Sequence, residues 1–164
     1  TASYRPDLPE FFGRNWGTFS HSVRGNWLIE QHDFVNIVDP TDSSDFEDTV
    51  GMPRVRFLST VTWAPIDTLA FSWDWDWQAS QEILDVDNLV ANPDLYETAK
   101  YLETGDFSQH DFSVRWAARD NLTVRAGVVN AFDAEPARWL GNTTADNFDL
   151  FGRRFFLSLN YPPF

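Results

Sequence analysis

The sequence predicts an all-β fold, an antiparallel meander of about six long strands that forms the C-terminal wall of a larger transmembrane β-barrel. Three observations predict it. Apolar and polar residues alternate with period two over several stretches, the pattern of a strand with one dry and one wet face. Short and long connections alternate along the chain. Aromatic residues make up 16% of the 164 residues, yet no apolar run reaches the length of about 18 residues that a transmembrane helix needs.

Six stretches show the alternation, after a lead-in that does not. Residues 1–15 contain two prolines, so we expect an irregular lead-in before a single barrel segment over residues 16–164. The predicted strands lie within 17–31, 54–64, 69–78, 111–118, 122–128 and 154–161. The third is the clearest, because large rings (Phe71, Trp73, Trp75 and Trp77) alternate there with small or charged residues.

The connections between these strands are of two sizes. Two are tight turns at 65–68 and 119–121, rich in residues that turns favour. Three are long and acidic, at 33–48, 82–106 and 133–149, and they hold most of the 25 Asp and Glu residues of a chain with net charge −13. Because long and short connections alternate strictly, all three long loops should emerge at one end of the meander.

A strand with one ring-rich face fits two environments. In a soluble sandwich that face meets a second sheet, whereas in an outer-membrane barrel it meets lipid and the polar face lines a wet lumen. The asymmetry of short turns and long loops favours the barrel, and so does an aromatic girdle of Trp63, Trp116 and Tyr161 at the short-turn end. Strands of about ten residues also suit a tilted membrane crossing.

Six strands are too few to close such a barrel, since the smallest bacterial outer-membrane barrels have about eight. Open strand edges are not tolerated in lipid, because their backbone groups find no partner there. We therefore expect other polypeptide to complete the sheet. A small self-closed barrel would need two more strands within residues 1–15, which the prolines there discourage.

Three segments share a recognisable order and spacing. Residues 121–133 read NLTVRAGVVNAFD, and residues 152–161 read GRRFFLSLNY. Together they resemble the last hairpin of TonB-dependent outer-membrane receptors. Residues 60–69, with the sequence TVTWAPIDTL, resemble the strand, turn and strand that precede that hairpin in the family. The resemblance covers residues 16–164 and is silent on the ligand.

The resemblance implies a transporter rather than an enzyme, one that takes up a scarce ligand across the outer membrane of a Gram-negative cell. The ligand would be a siderophore, a cofactor or an oligosaccharide, and the long loops would be extracellular. The implied partners are the lipid bilayer, the remaining barrel strands, the plug of the same receptor on the same or a separate polypeptide, and TonB acting through that plug. Family members surround the plug with a barrel of about 22 strands.

Four residues are singled out for binding or assembly. In the long loops, the aromatic residues Tyr96, Tyr101 and Trp139 are the predicted substrate contacts, and the middle loop should hold a short helix that begins near Asn92. By the same resemblance, Phe164 would serve as the barrel-assembly signal. The two prolines before it break the alternation, so strand pairing should stop near Tyr161.

No motif for covalent chemistry stands out. The three histidines lie outside recognisable motifs, and Asp74 and Asp76 are interpreted as polar wall residues rather than a glycosidase pair. The acidic run at 39–48 has the oxygen density of a calcium site without EF-hand spacing, so we interpret it as solvated. We expect no catalytic residue, no metal site and no cofactor.

Composition excludes some classes and leaves one open. A net charge of −13 argues against nucleic-acid binding, and the lack of cysteine excludes disulfides and thiolate chemistry. A soluble, aromatic-rich β-sandwich that binds carbohydrate remains the second hypothesis.

Overall fold

The computed structural model describes residues 1–4, 16–34, 38, 41, 43–45, 48–83, 91, 103–136 and 147–161. Its strands, in chain order, are β1 (Ala2–Tyr4), β2 (Thr18–Trp27), β3 (His32–Phe34), β4 (Ser43–Asp45), β5 (Val55–Ile66), β6 (Leu69–Gln78), β7 (Phe107–Arg119), β8 (Leu122–Val129) and β9 (Arg154–Asn160). The predicted helix near Asn92 lies outside the described residues. Within them, no helix is long and apolar enough to cross a membrane.

Seven of the strands form one antiparallel sheet in the order β1-β2-β5-β6-β7-β8-β9. Each long strand pairs with the next long strand along the chain, which confirms the predicted all-β meander. The structure adds β1, three residues that pair with β2 inside the stretch expected to be irregular, and a separate β3–β4 hairpin. Among the described residues the sheet stays open, with β1 at one edge and β9 at the other.

The connections follow the predicted alternation. The turns between β5 and β6 and between β7 and β8 are short, and a register shift adjoins each of them, at Trp63/Ile66 and at Ala117/Arg119. Such bulges sharpen the local twist and bend the strand. The connections from β2 to β5, from β6 to β7 and from β8 to β9 are long, and all three leave the sheet at its other end.

The two faces of the sheet differ in chemistry. One face, here called the ring face, carries alternate residues from Phe57 to Trp63, Phe71 to Trp77, Ser108 to Trp116, Val124 to Val128 and Phe155 to Leu159. The other, the polar face, carries the residues between them, from Arg56 to Thr62, Ala70 to Gln78, Phe107 to Arg115, Thr123 to Val129 and Arg154 to Asn160. The period-two reading of the sequence therefore predicted the faces correctly.

Several apolar side chains of the ring face are exposed, and the others described there are partly exposed. Phe155 is 80% exposed, Leu157 69% and Trp116 52%. In the described part of the chain the buried apolar residues are Ala70, Phe107 and Phe148, and the first two lie on the polar face. A sandwich would bury its ring-rich face under a second sheet, and no such sheet is present among the described residues.

Candidate functional site at the bases of the long loops

A hydrogen-bonded ladder crosses the polar face between β5 and β6. Arg56 donates to Asp76 through both Nε and Nη2, at 3.1 and 2.7 Å, and Thr60 Oγ1 donates to Asp74 Oδ1 at 2.6 Å. Both aspartates, which the sequence placed on one face, are therefore bound to neighbouring side chains. The ladder supports their interpretation as wall residues.

Three amide side chains, here called the amide cluster, meet where the polar face reaches the long loops. Gln78, Gln81 and Asn147 form it, and both glutamines are 1% exposed. Asn147 Nδ2 donates to Gln78 Oε1 at 3.2 Å and to Gln81 Oε1 at 2.9 Å. The amide of Gly51 also donates to Gln81 Oε1, at 2.8 Å, which fixes the orientation of that glutamine. The cluster thus ties all three long connections together at their bases.

The amide cluster borders a cavity of about 330 Å³. Its described lining consists of Arg56, Asp76, Gln78, Phe107, Gln109, Asn147, Phe148 and Asp149. Phe107 and Phe148 meet edge to face with ring centroids 5.3 Å apart, and both are buried. The cavity is therefore a mixed site of amides, carboxylates and aromatic rings, at the small end of the range of about 300–1,000 Å³ for ligand pockets.

Asp149 is held in place by the first residue of β9. The guanidinium of Arg154 donates to both its carboxylate oxygens, at 2.7 and 2.6 Å, and the amide of Phe151 donates to Oδ1 at 3.0 Å. The hydrogen bonds from Arg154 chiefly, and then that from Phe151, lower the pKa of Asp149 below its ordinary 3.8 against an opposing effect of burial. The carboxylate next to the cavity is consequently ionised at neutral pH.

Asn130 closes the base of the last long loop. It is fully buried, has a left-handed backbone with φ of 52°, and forms two hydrogen bonds with Ala134, Nδ2 to the carbonyl at 2.9 Å and Oδ1 from the amide at 2.7 Å. Its own amide donates to Asp111 at 2.8 Å. Nearby, Asp133 accepts from the amide of Arg153. Asn130 and Asp133 belong to the segment that carries the family resemblance, and here they shape the exit and return of the chain.

The ring face has its own polar cluster. His110 lies beside both Trp73 and Trp75, with ring centroids 5.8 Å from each, and accepts a hydrogen bond from Trp73 Nε1 at 3.1 Å. Trp75 Nε1 donates to Ser108. On the neighbouring strands, His21 Nε2 bonds to Ser59 at 2.9 Å. These polar groups of the ring face are thus paired with one another.

None of the predicted site residues lies in the part of the chain that the structure describes. Tyr96, Tyr101, Trp139 and Phe164 lie outside the described residues and stay predictions. The amide cluster was not foreseen. Gln78 continues the polar alternation of β6, so its position at the loop end was readable, whereas nothing local marks Asn147.

The comparisons with known proteins bear on the fold. No protein-family model and no curated protein matches the sequence. The structure is similar to the crystal structure of a mutant ferric enterobactin receptor from Pseudomonas aeruginosa, with a TM-score of 0.50 and 16% sequence identity over 88% of this chain. The chain covers 20% of the length of that receptor. This likeness supports an antiparallel sheet of the kind found in part of that receptor.

Proposed function

We propose that the chain is part of a TonB-dependent outer-membrane transporter and supplies barrel wall and extracellular loops. The observation that carries the proposal is the open antiparallel sheet with one exposed ring face and all long connections at one end. That asymmetry is characteristic of outer-membrane barrels. The similarity in fold to a ferric enterobactin receptor points in the same direction.

In this arrangement the ring face contacts lipid and the polar face lines the lumen. Exposed rings such as Phe155 and Trp116 suit a hydrocarbon environment. The histidines of the ring face are hydrogen-bonded within the sheet, as polar groups in lipid must be. Trp63 and Trp116 lie at the short-turn end, where the periplasmic aromatic girdle belongs.

The open edges of the sheet require partners. The outer edges of β1 and β9 carry backbone groups that no described strand pairs, and such edges are not stable in lipid. The remaining barrel strands pair with them, and a plug fills the lumen and transmits the action of TonB. No covalent chemistry is assigned to this chain, since its work is to form the wall and the rim around the ligand.

The ligand is a scarce solute, a siderophore, a cofactor or an oligosaccharide, that the loops capture at the cell surface. Tyr96, Tyr101 and Trp139 stay the proposed loop contacts, and Phe164 the proposed assembly signal. The amide cluster positions the bases of these loops around the lumen mouth. The positions of the ligand-binding loops thereby depend on hydrogen bonds made at the end of the barrel wall.

The test is fractionation of cells that produce the intact protein, followed by peptide mapping of the outer-membrane fraction. We expect peptides of this chain in an assembly larger than 164 residues that only detergent extracts. We also expect ligand uptake to require both TonB and an energised inner membrane. Recovery of these peptides as a folded, soluble monomer would contradict the proposal and favour the carbohydrate-binding sandwich.

A further inference from the structure

The cavity beside the amide cluster has a composition that selects among ligand classes. Its described lining includes the amides of Gln78, Gln109 and Asn147, with the rings of Phe107 and Phe148 beside them. Amides offer both donors and acceptors, and rings offer flat apolar surface. This combination suits a ligand that is neutral and rich in hydrogen-bonding groups.

The charges at the cavity are already paired. Arg56, the cation among the described lining residues, gives Nε and Nη2 to the two oxygens of Asp76. Asp149 is likewise bound at both oxygens by Arg154. An anionic ligand would therefore find no uncommitted cation in this lining and would have to approach two carboxylates.

Two polar atoms of side chains that line the cavity have no hydrogen-bond partner among the described residues. They are Gln78 Nε2, a donor, and Asn147 Oδ1, an acceptor, and both are buried. The amide of Gly51 orients Gln81, Gln81 orients Asn147, and Asn147 orients Gln78, so the donor and the acceptor are assigned by the network itself. Buried polar groups left unpaired are costly, which favours a ligand that pairs them.

A hydroxyl group is both a donor and an acceptor. Hydroxyls of one ligand can therefore accept from Gln78 Nε2 and donate to Asn147 Oδ1. A carboxylate or a deprotonated catechol can accept from Gln78 but has no proton for Asn147. The unpaired atoms and the paired charges thus point to the same ligand class.

We propose that this cavity binds a neutral, polyhydroxylated group, a sugar ring of an oligosaccharide, with Gln78 as donor, Asn147 as acceptor and Phe148 beside the ring. The proposal rests on the proposed function for how such a ligand reaches the lumen. It narrows the three ligand classes to one.

The test is calorimetric titration of the intact protein, purified in detergent from outer membranes. The probes are four neutral oligosaccharides (maltotetraose, cellotetraose, xylotetraose and mannotetraose) and one anionic complex, ferric tris-catecholate. We expect at least one neutral probe to bind and the ferric complex not to bind. Two results would overturn the proposal. One is binding of the ferric complex that is lost in the Gln78 variants, and the other is failure of all four neutral probes to bind.

Two substitutions at Gln78 keep the test decisive. Gln78→Met removes the whole amide. Gln78→Glu removes the donor but keeps an acceptor for Asn147 Nδ2. Because the glutamate variant retains that hydrogen bond, it remains usable if the methionine variant fails to fold. We expect both to weaken sugar binding at least 10-fold. Asn160→Asp, which adds a charge to the polar face at the short-turn end, should leave binding within 2-fold of the native protein.

Unchanged sugar binding in Gln78→Glu would overturn the assignment of Gln78 as the donor to the ligand. The proposed function is tested separately by fractionation and by the energy dependence of uptake. A protein that resides in the outer membrane and binds no sugar would therefore overturn this inference alone.

Discussion

The ring face and the polar face of the same sheet differ in how their side chains interact across neighbouring strands. On the polar face, side chains bond across strands, as in the pairs Arg56–Asp76 and Thr60–Asp74. On the ring face, apolar side chains stack across strands, as Trp63 does on Phe71 with ring centroids 5.7 Å apart, and they stay partly or fully exposed. Each strand contributes to both faces, so the difference arises from alternate residues along one strand and not from separate segments of the chain.

The comparison shows that few apolar side chains of this sheet are buried within the described part of the chain. A soluble domain places its rings inside and its charges outside. Here most of the described buried side chains lie on the polar face and at the loop bases, among them Gln78, Gln81 and Asn130, whereas Ser59 is buried on the ring face. An apolar surface of this extent marks a membrane or protein contact, and under the proposed function that contact is lipid.

The largest expected effect comes from a charge on the ring face. Val61, near the middle of β5, faces that side, whereas Thr62 faces the polar side at nearly the same depth. We expect Val61→Arg to destabilise the protein in lipid vesicles by about 2–4 kcal/mol. Thr62→Arg should be mild, because its neighbours across the strands are Ser20 and Ser72. Equal effects in denaturant titrations of the two variants would break the assignment of the faces.

The next effect concerns the loop base, where polar groups are buried. Asn130→Ala removes both hydrogen bonds to Ala134 and places a less suitable residue at a left-handed position. We expect a loss of about 1–3 kcal/mol, together with faster hydrogen exchange of the Ala134 amide. The control, Asn160→Ala, changes an exposed asparagine and should stay within about 0.5 kcal/mol. Native exchange at Ala134 in the Asn130 variant would contradict this account.

A smaller effect is expected where a glycine admits an aromatic ring on the polar face. A Cβ on Gly127 would lie 2.5 Å from the carbonyl oxygen of Phe112 and 2.7 Å from the ring of Phe156. We expect Gly127→Ala to cost about 1 kcal/mol net, since overpacking costs about 1–3 kcal/mol and the lost backbone freedom of glycine returns about 0.4–1 kcal/mol.

The matched control for that substitution is Gly25→Ala. The atoms nearest to a Cβ at Gly25 are 3.9 Å away, an ordinary contact distance. This variant should be neutral or slightly stabilising in the same titrations. A loss as large as that of the Gly127 variant would show that the ring of Phe156 is not the cause.

The smallest effect is a pH dependence at the edge of the cavity. The pKa of Asp149 is lowered by Arg154, so the pair stabilises the loop base fully above the ordinary value of 3.8 and loses this effect as pH falls through the lower value in the folded protein. We expect hydrogen exchange near Phe151 to rise in that acidic window. Asp149→Asn should remove the dependence, and an unchanged pH profile in this variant would assign it to another group.

Much of the fold could be predicted from the sequence, because the face on which a strand residue lies follows from the local alternation of apolar and polar residues. Alternation located the long strands and assigned Trp73 and Asp74 to opposite faces, and turn composition located both short connections. Strand β1 was missed because three residues are too few for a period to show.

The candidate site was harder to predict, because it depends on contacts between segments that are far apart in the sequence. Gln78 and Asn147 are 69 residues apart, and no local pattern indicates that they meet. The fit of Phe156 over Gly127 likewise needs the register of two strands. The loop residues Tyr96, Tyr101 and Trp139 were chosen for chemistry alone, and their roles stay predictions.

The most direct test of the central claim is a cysteine scan along β9, which is clean because the native chain has no cysteine. Spin labels placed singly at residues 155–160 of the intact protein in outer membranes report collisions with oxygen, which is concentrated in lipid, and with a water-soluble nickel complex. We predict strict alternation, with oxygen favoured at Phe155, Leu157 and Leu159 and nickel favoured at the residues between them. Nickel access at Leu157 equal to that at Ser158 would contradict the account, because it would place water on the ring face.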